Sequence, residues 1–346
     1  MESNGTLTTA DPYGIYSDYD EPVLLEENVL GIFFSIFPTV CYSLIFFVSL
    51  AGNSFLLWAL LKQEDLRQTS SLLLLHLTMS DLIFTVTLPF WAVYVSDGWV
   101  MGEVACKLLN GMLFLGFYSY MMFLMAMTLH RYRAVVHAVT ASTFKPNVHL
   151  LSAGLWVFCL TFSIPEMVFS ETEEFNDAVY CIQSYGSHMP EYLVYYVQIS
   201  IFFLLPFSVI TFCYTRMWFR IRQCRMGKKN QAVRLIFLIV VGFFICWAPY
   251  NIFLFIHALG LQGLIPAEKL EQSVAFKFTY TISHTLAYFH CCFSPIIHIL
   301  GAGKFRGHLN LSRGFRRFSV SQRTQTFSTH TSEALSALSM SGQTNI

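Results

Sequence analysis

Seven long apolar stretches separated by short polar segments set the pattern of the chain: Leu30 to Leu61, Ser71 to Val95, Cys106 to Val136, Val148 to Phe169, Tyr192 to Trp218, Val233 to Leu259 and Phe276 to Leu300. Each reaches the roughly twenty residues that a helix needs to cross the ~30 Å hydrocarbon core of a bilayer. The third is the clearest, because Lys107 is the only charge between Cys106 and Arg131. A helix over that segment is roughly 37 Å long at ~1.5 Å per residue, and it therefore spans. The pattern predicts an all-α membrane protein: a seven-transmembrane helix bundle over residues 30–300. It is preceded by an acidic tail (1–29) and followed by a short amphipathic cytoplasmic helix (301–318) and a Ser/Thr-rich disordered tail (319–346).

Composition agrees with this reading, since 55% of the 346 residues are hydrophobic and only 12% are charged, too apolar for one soluble domain of that size. The first 29 residues have no apolar core behind basic residues, so no cleavable signal peptide is predicted and the first helix is expected to direct insertion. Charge gives the orientation. Of the 21 Lys and Arg, three (Lys107, Lys269 and Lys277) fall on the side of the amino terminus, and eighteen on the other. Acids run the opposite way, with seventeen on the amino-terminal side, Glu64, Asp65 and Glu333 on the other, and Asp81 alone within a span. The excess of Lys and Arg predicts an extracellular amino terminus and a multi-pass protein of the plasma membrane. The acidic outer face calls for a cationic partner, and the basic inner face suits anionic lipid in the bilayer.

Topology sorts the cysteines. Cys106 and Cys181 alone face the oxidising side, so one disulfide between them is the natural pairing, with two free thiols as the alternative. The tail contains the sequon Asn4-Gly5-Thr6, a glycosylation acceptor. Tyr13, Tyr16 and Tyr19 lie among Asp18, Asp20 and Glu21, a setting for tyrosine sulfation and ligand docking, and Glu173 and Glu174 repeat the acidity in the second outer loop. Asp81 requires a partner within the membrane. Pro89 is expected to kink the second helix and turn Trp91 inward, and Pro249 to bend the sixth helix beneath Trp247. There is neither an HExxH motif nor His/Cys metal spacing, phosphate-binding glycine loop or nucleophile elbow. The expectation is no enzyme, no cofactor, no metal and no nucleic-acid partner. A secondary transporter is the reading from another class; the chain shows no internal repeat to support it.

Several motifs occur together in order: Gly52-Asn53; Leu77 to Asp81; Thr87-Leu88-Pro89-Phe90-Trp91; Gly98-Trp99-Val100 ahead of Cys106-Lys107; Arg131-Tyr132; Trp156; Pro206 with Tyr214; Cys246 to Asn251; and His290-Cys291-Cys292-Phe293-Ser294-Pro295. On these the chain resembles a rhodopsin-like G-protein-coupled receptor of the chemokine receptor family; His130 before Arg131, the run Leu235 to Val241 and His290 to Phe293 resemble the lymphotactin (XC) type within it. The resemblance implies an extracellular basic chemokine as ligand and a heterotrimeric G-protein, of inhibitory type, inside. It also implies arrestin and a receptor kinase at the phosphorylatable tail. Tyr42, Trp91, Tyr250, His284 and Tyr288 would form the ligand cavity. Asp81, Trp247, Pro249, Ser294, Pro295 and His298 would form the activation switch, and His130, Arg131, Tyr132, Tyr214, Arg222 and Lys229 the G-protein face. The sequence departs from the family at four places: His130 stands for the usual Asp, Ser294 for Asn, His298 for Tyr, and His284 for the customary glutamate of the seventh helix. Tyr120 is bulky for a partner that would share a sodium ion with Asp81, so that ion-linked network is expected to be rebuilt or absent. The runner-up reading is an atypical receptor that internalises its chemokine without G-protein signalling.

Overall fold

The computed structural model describes residues 24–137, 147–175, 178–185, 190–223, 227–266, 273–293 and 295–296. The expectations for Asn4, the tail tyrosines Tyr13, Tyr16 and Tyr19, the acids Asp18, Asp20 and Glu21, Ser294, His298 and the segments 301–318 and 319–346 fall outside them. The first pass is α1 (Leu24–Gln63). The second is a pair, α2 (Thr69–Thr85) and α3 (Leu88–Asp97). The third is α4 (Gly102–Val136) and the fourth α5 (Val148–Val168). A hairpin of β1 (Ser170–Phe175) and β2 (Ala178–Gln183) leads to the fifth pass, α6 (Glu191–Ile199), a π-helical turn (Ser200–Leu204) and α7 (Leu205–Gln223). The sixth is α8 (Gly227–Leu261), and the seventh is α9 (Val274–Tyr288) with a 3₁₀ turn (Phe289–Cys292). Six of the described passes are long and apolar enough to cross a membrane by themselves.

The irregular points follow from prolines that lack an N–H. Pro89 cannot donate to the carbonyl of Thr85, and the second pass breaks there. Val86 N–H still reaches the Leu82 carbonyl, but Thr87 N–H shortens to the Phe84 carbonyl at 3.1 Å, where the Thr87 hydroxyl also donates at 2.7 Å. The break is sharper than the expected kink, and Trp91 beyond it is buried against Tyr94 and Trp99. Pro206 cannot donate to Phe202, and the helix before it widens into a π turn, a common response to one missing i−4 bond. Pro165 lies inside α5, which continues through it to Val168, within the predicted span.

Helix α4 is central, packing against α2, α5, α7, α8 and the hairpin. Its side chains Tyr118, Tyr120, Met121, Phe123 and Leu124 are nearly or completely buried. The close approach to α2 depends on Gly116, where an added Cβ would lie 2.7 Å from the backbone nitrogen of Phe84. Small residues serve this purpose in lipid, where helix association relies on close packing rather than on expulsion of water.

Candidate functional site

At the outer end, Cys106 and Cys181 form the expected disulfide, with their Cα atoms 5.6 Å apart. It fixes β2 to the start of α4. Lys107 strengthens the junction, donating to the Ser170 carbonyl at 2.9 Å and pairing with Glu103 at 2.8 Å. The Asn110 amide donates to the Cys106 carbonyl at 3.2 Å. In the antiparallel hairpin Thr172 faces Cys181 and Glu173 faces Tyr180. Glu171, Glu173 and Glu174 point to solvent along β1.

Beneath the hairpin a cavity opens between the helices. Tyr250, His284 and Tyr288 line it as expected, together with Trp247 at its floor. Tyr42 and Trp91 do not line it. Tyr42 stands behind His284, its hydroxyl 2.9 Å from Nδ1 of that ring, and Trp91 packs into the aromatic cluster of α3. Sequence reasoning missed Gln183, Gln198, Tyr195, His257, Lys277 and Tyr280, all at the cavity wall. Among the described lining residues there is no carboxylate.

The floor connects to the hinge through stacked rings. Phe117 of α4 lies over Trp247 with ring centroids 3.9 Å apart, and Trp247 meets the edge of His290 at 5.2 Å. Pro249 sits inside α8 one turn beyond Ile245, whose carbonyl it cannot engage. The seventh helix repeats the device. Pro295 leaves the Cys291 carbonyl without its helical donor, and the Asn53 amide supplies one from α1 at 2.9 Å. Asn53 also donates to the Ser49 hydroxyl at 3.0 Å, and Ser49 and Thr85 are 2.6 Å apart.

His290 lies beside the buried Asp81, with Nε2 4.0 Å from Oδ1. Tyr120 and Phe84 pack their rings against the same imidazole. Ser80 and Ser119, which could have offered oxygen ligands, bond to each other at 2.7 Å. Among the described residues, an imidazole and aromatic rings stand beside the Asp81 carboxylate where a hard alkali cation would need further oxygen donors.

A second acid lies within a span. Glu166 was counted among the outer acids, but it occupies the last turn of α5 and is only 2% exposed. The hydroxyl of Tyr118 donates to its Oε1 at 2.9 Å, and the Gln183 amide and Tyr185 hydroxyl donate to its Oε2 at 2.7 and 3.0 Å. The available signal was Pro165, which a membrane helix can absorb when its neighbours satisfy the freed groups.

At the inner end, Arg131 is largely buried and its Nε has no hydrogen-bond partner among the described residues. His130 precedes it, Tyr132 reaches His137 at 3.3 Å, and Tyr214 packs edge-on against Phe237 of α8. Arg222 and Lys229 fall on α7 and α8 at the same end, but their side chains lie outside the described set.

The model of the 7 transmembrane receptor (rhodopsin family) matches residues 52–298. Human chemokine XC receptor 1 is 34% identical over 315 residues, covering 89% of this chain and 90% of that protein. Human C-C chemokine receptor type 4 is 35% identical over 314 residues, 87% of this chain and 85% of that one. Mouse atypical chemokine receptor 2 is 34% identical over 302 residues, 86% and 79% respectively. Its multi-pass helical bundle, disulfide-tied outer hairpin and these likenesses over most of the chain's length place the protein in the rhodopsin family of receptors, which are not enzymes, and it belongs there to the chemokine receptor family.

Proposed function

We propose that the chain is a plasma-membrane receptor with its amino terminus outside, which binds a basic chemokine and activates a heterotrimeric G-protein, of inhibitory type, inside. The stacked path from the cavity to the hinge is the observation that carries this reading: Phe117 on Trp247, Trp247 on His290, and His290 beside Asp81. A ligand that prefers one arrangement of Trp247 biases the bend at Pro249 and so the position of α8. The acids of β1, joined by Tyr13, Tyr16, Tyr19, Asp18, Asp20 and Glu21 of the tail, attract the ligand's basic body. Without a carboxylate on the described lining, aromatic faces and neutral donors hold the inserted end. Opening at the inner end presents Arg131, Tyr132 and Tyr214 to the G-protein, with Arg222, Lys229, Ser294 and His298 in supporting roles. Arrestin and a receptor kinase act on the Ser/Thr-rich tail, and Asn4 carries a glycan.

The second reading, a receptor that internalises its chemokine without G-protein signalling, draws on His130, which offers Arg131 an imidazole in place of the family's carboxylate. A panel of basic chemokines should be tested for binding to cells that display the chain, then for nucleotide exchange on purified inhibitory G-protein. Binding with exchange supports the first reading. Binding without exchange supports the second, and no binding by any chemokine sinks both. The triple change of Tyr13, Tyr16 and Tyr19 to Phe is expected to weaken binding about tenfold or more; unchanged affinity would remove the tail from the docking surface.

A further inference from the structure

We propose that Glu166 is a positioning residue, a buried latch that fixes the inner end of the outer hairpin and transmits its movement to the core of the bundle. A carboxylate removed from water costs several kcal/mol unless it is fully hydrogen-bonded. Three donors converge on Glu166, so the acid fixes the relative positions of the segments that carry them, and an apolar side chain in its place would leave those donors buried without an acceptor. Its three donors come from two separate parts of the fold: Tyr118 from the middle of α4, and Gln183 and Tyr185 from the end of β2 and the residues just after it. Burial, and then the adjacent carboxylate, push the Tyr185 phenol well above its usual range, so that it stays a donor.

The placement of the latch gives it a role. Gln183 lines the ligand cavity, and the disulfide holds Cys181 two residues earlier in the same strand. Strand β2 is thus fixed on one side of Tyr180 by a covalent bond to α4 and at its far end by Glu166, which leaves the cavity roof little freedom. Two backbone-level contacts close the same corner: the Ser170 hydroxyl donates to the Glu166 carbonyl at 2.6 Å, and Ser184 N–H to the Phe169 carbonyl at 2.8 Å. On the core side, Tyr118 stacks on Phe202 at 3.7 Å, within the π turn of the fifth pass, while its neighbour Phe117 stacks on Trp247. A ligand that lifts or presses the hairpin therefore pulls on Tyr118, which touches the fifth helix and adjoins the residue over the hinge. The latch itself stands on the hydrogen bonds alone; its role in signalling rests on the receptor reading above.

The test uses the full-length chain in lipid nanodiscs and measures backbone hydrogen exchange across residues 178–185 in the wild type, Glu166→Gln, Glu166→Leu, Tyr185→Phe and Gln183→Leu. The latch predicts exchange about tenfold faster in Glu166→Leu, which removes the acceptor altogether, and intermediate acceleration in the other three: Glu166→Gln replaces one acceptor oxygen with an amide group, and Tyr185→Phe and Gln183→Leu each remove one donor. Wild-type exchange rates in folded Glu166→Leu would overturn it, because packing alone would then suffice. Should that variant fail to fold, Tyr185→Phe and Gln183→Leu decide the matter, as both leave the carboxylate with two donors; no acceleration in either overturns the latch. A separate arm uses any chemokine that binds the wild type. Transmission predicts that Glu166→Gln lowers maximal nucleotide exchange at saturating chemokine several-fold while changing affinity less than threefold. Equal losses in both would reduce Glu166 to a support of the cavity and overturn transmission. If no chemokine binds the wild type, the receptor reading and transmission fail together, and the hydrogen-exchange result still decides the latch.

Discussion

The two ends of α4 are built on opposite principles. The outer end is tied to the hairpin by a disulfide, by Lys107 to the Ser170 carbonyl and by the Asn110 amide, 3.2 Å from the Cys181 sulfur. At the inner end Arg131 has a largely buried guanidinium whose Nε finds no hydrogen-bond partner among the described residues, and the adjacent side chain is His130. A ligand acting on the first end meets a stiff frame, and stiffness lets a small displacement travel instead of being absorbed locally. A partner acting on the second end meets a group with fewer such ties among the described residues. On the receptor reading proposed above, an activating signal has fewer ties to break at the inner end, and packing along α4 carries the balance between resting and active states.

The largest effect should come from removing the strongest tie. Cys106→Ala opens a loop of sequence separation 75, for which loop-closure entropy gives roughly 4 kcal/mol of lost stability. Surface display and ligand binding are both expected to collapse, and flow cytometry with a labelled antibody and a labelled chemokine measures each. Normal display with normal binding in this variant would mean that the remaining contacts between α4 and the hairpin suffice and that the outer end is over-determined.

A smaller effect is expected from the middle of the helix, through which the contrast has to be communicated. Gly116→Ala places a methyl group 2.7 Å from the Phe84 nitrogen and 2.9 Å from its Cα, so that backbone rather than a flexible side-chain tip must yield. Overpacking of this kind costs about 1–3 kcal/mol, read as a fall of several degrees in the thermal midpoint of the purified protein. Gly154→Ala serves as the control, because an added Cβ there meets nothing within 4 Å and alanine favours the helix. An equal loss in both variants would detach the effect from the contact between α4 and α2.

The passes were legible in the sequence because lipid leaves the backbone no choice except internal hydrogen bonding, which demands long apolar runs. The pairing of Cys106 with Cys181 was legible for a related reason: topology confines the remaining cysteines to the membrane or the reducing side. Residues whose placement depends on rotation about a helix axis were harder to read. Trp91 was assigned to the cavity, but the break at Val86 and Thr87 directs it into the cluster with Tyr94 and Trp99 instead. Tyr42 missed the cavity by one layer, occupied by His284. The largest omissions, Glu166 with its donors and the approach of His290 to Asp81, concern polar groups whose neighbours are far away in the chain. Tyr118 is 48 positions from Glu166, and no local pattern links them.

The mildest change bears most directly on the inner end. His130→Asp would place a carboxylate next to Arg131, whose length allows it to fold back on an adjacent acid. A pair near the membrane surface stabilises by about 0.2–1 kcal/mol when exposed and by more when partly desolvated, and it exists only where Arg131 points inward. The variant should therefore favour the resting state selectively, because outward movement at this end must now break the pair. Basal nucleotide exchange on purified G-protein is expected to fall two- to fivefold, with maximal exchange at saturating chemokine changed less and the thermal midpoint raised by a degree or two. His130→Asn, similar in size to Asp and uncharged, should leave basal exchange near the wild-type value. If His130→Asp and His130→Asn behave alike, charge at this position is not what the inner end lacks, and the resting state is held by contacts other than a restraint on Arg131.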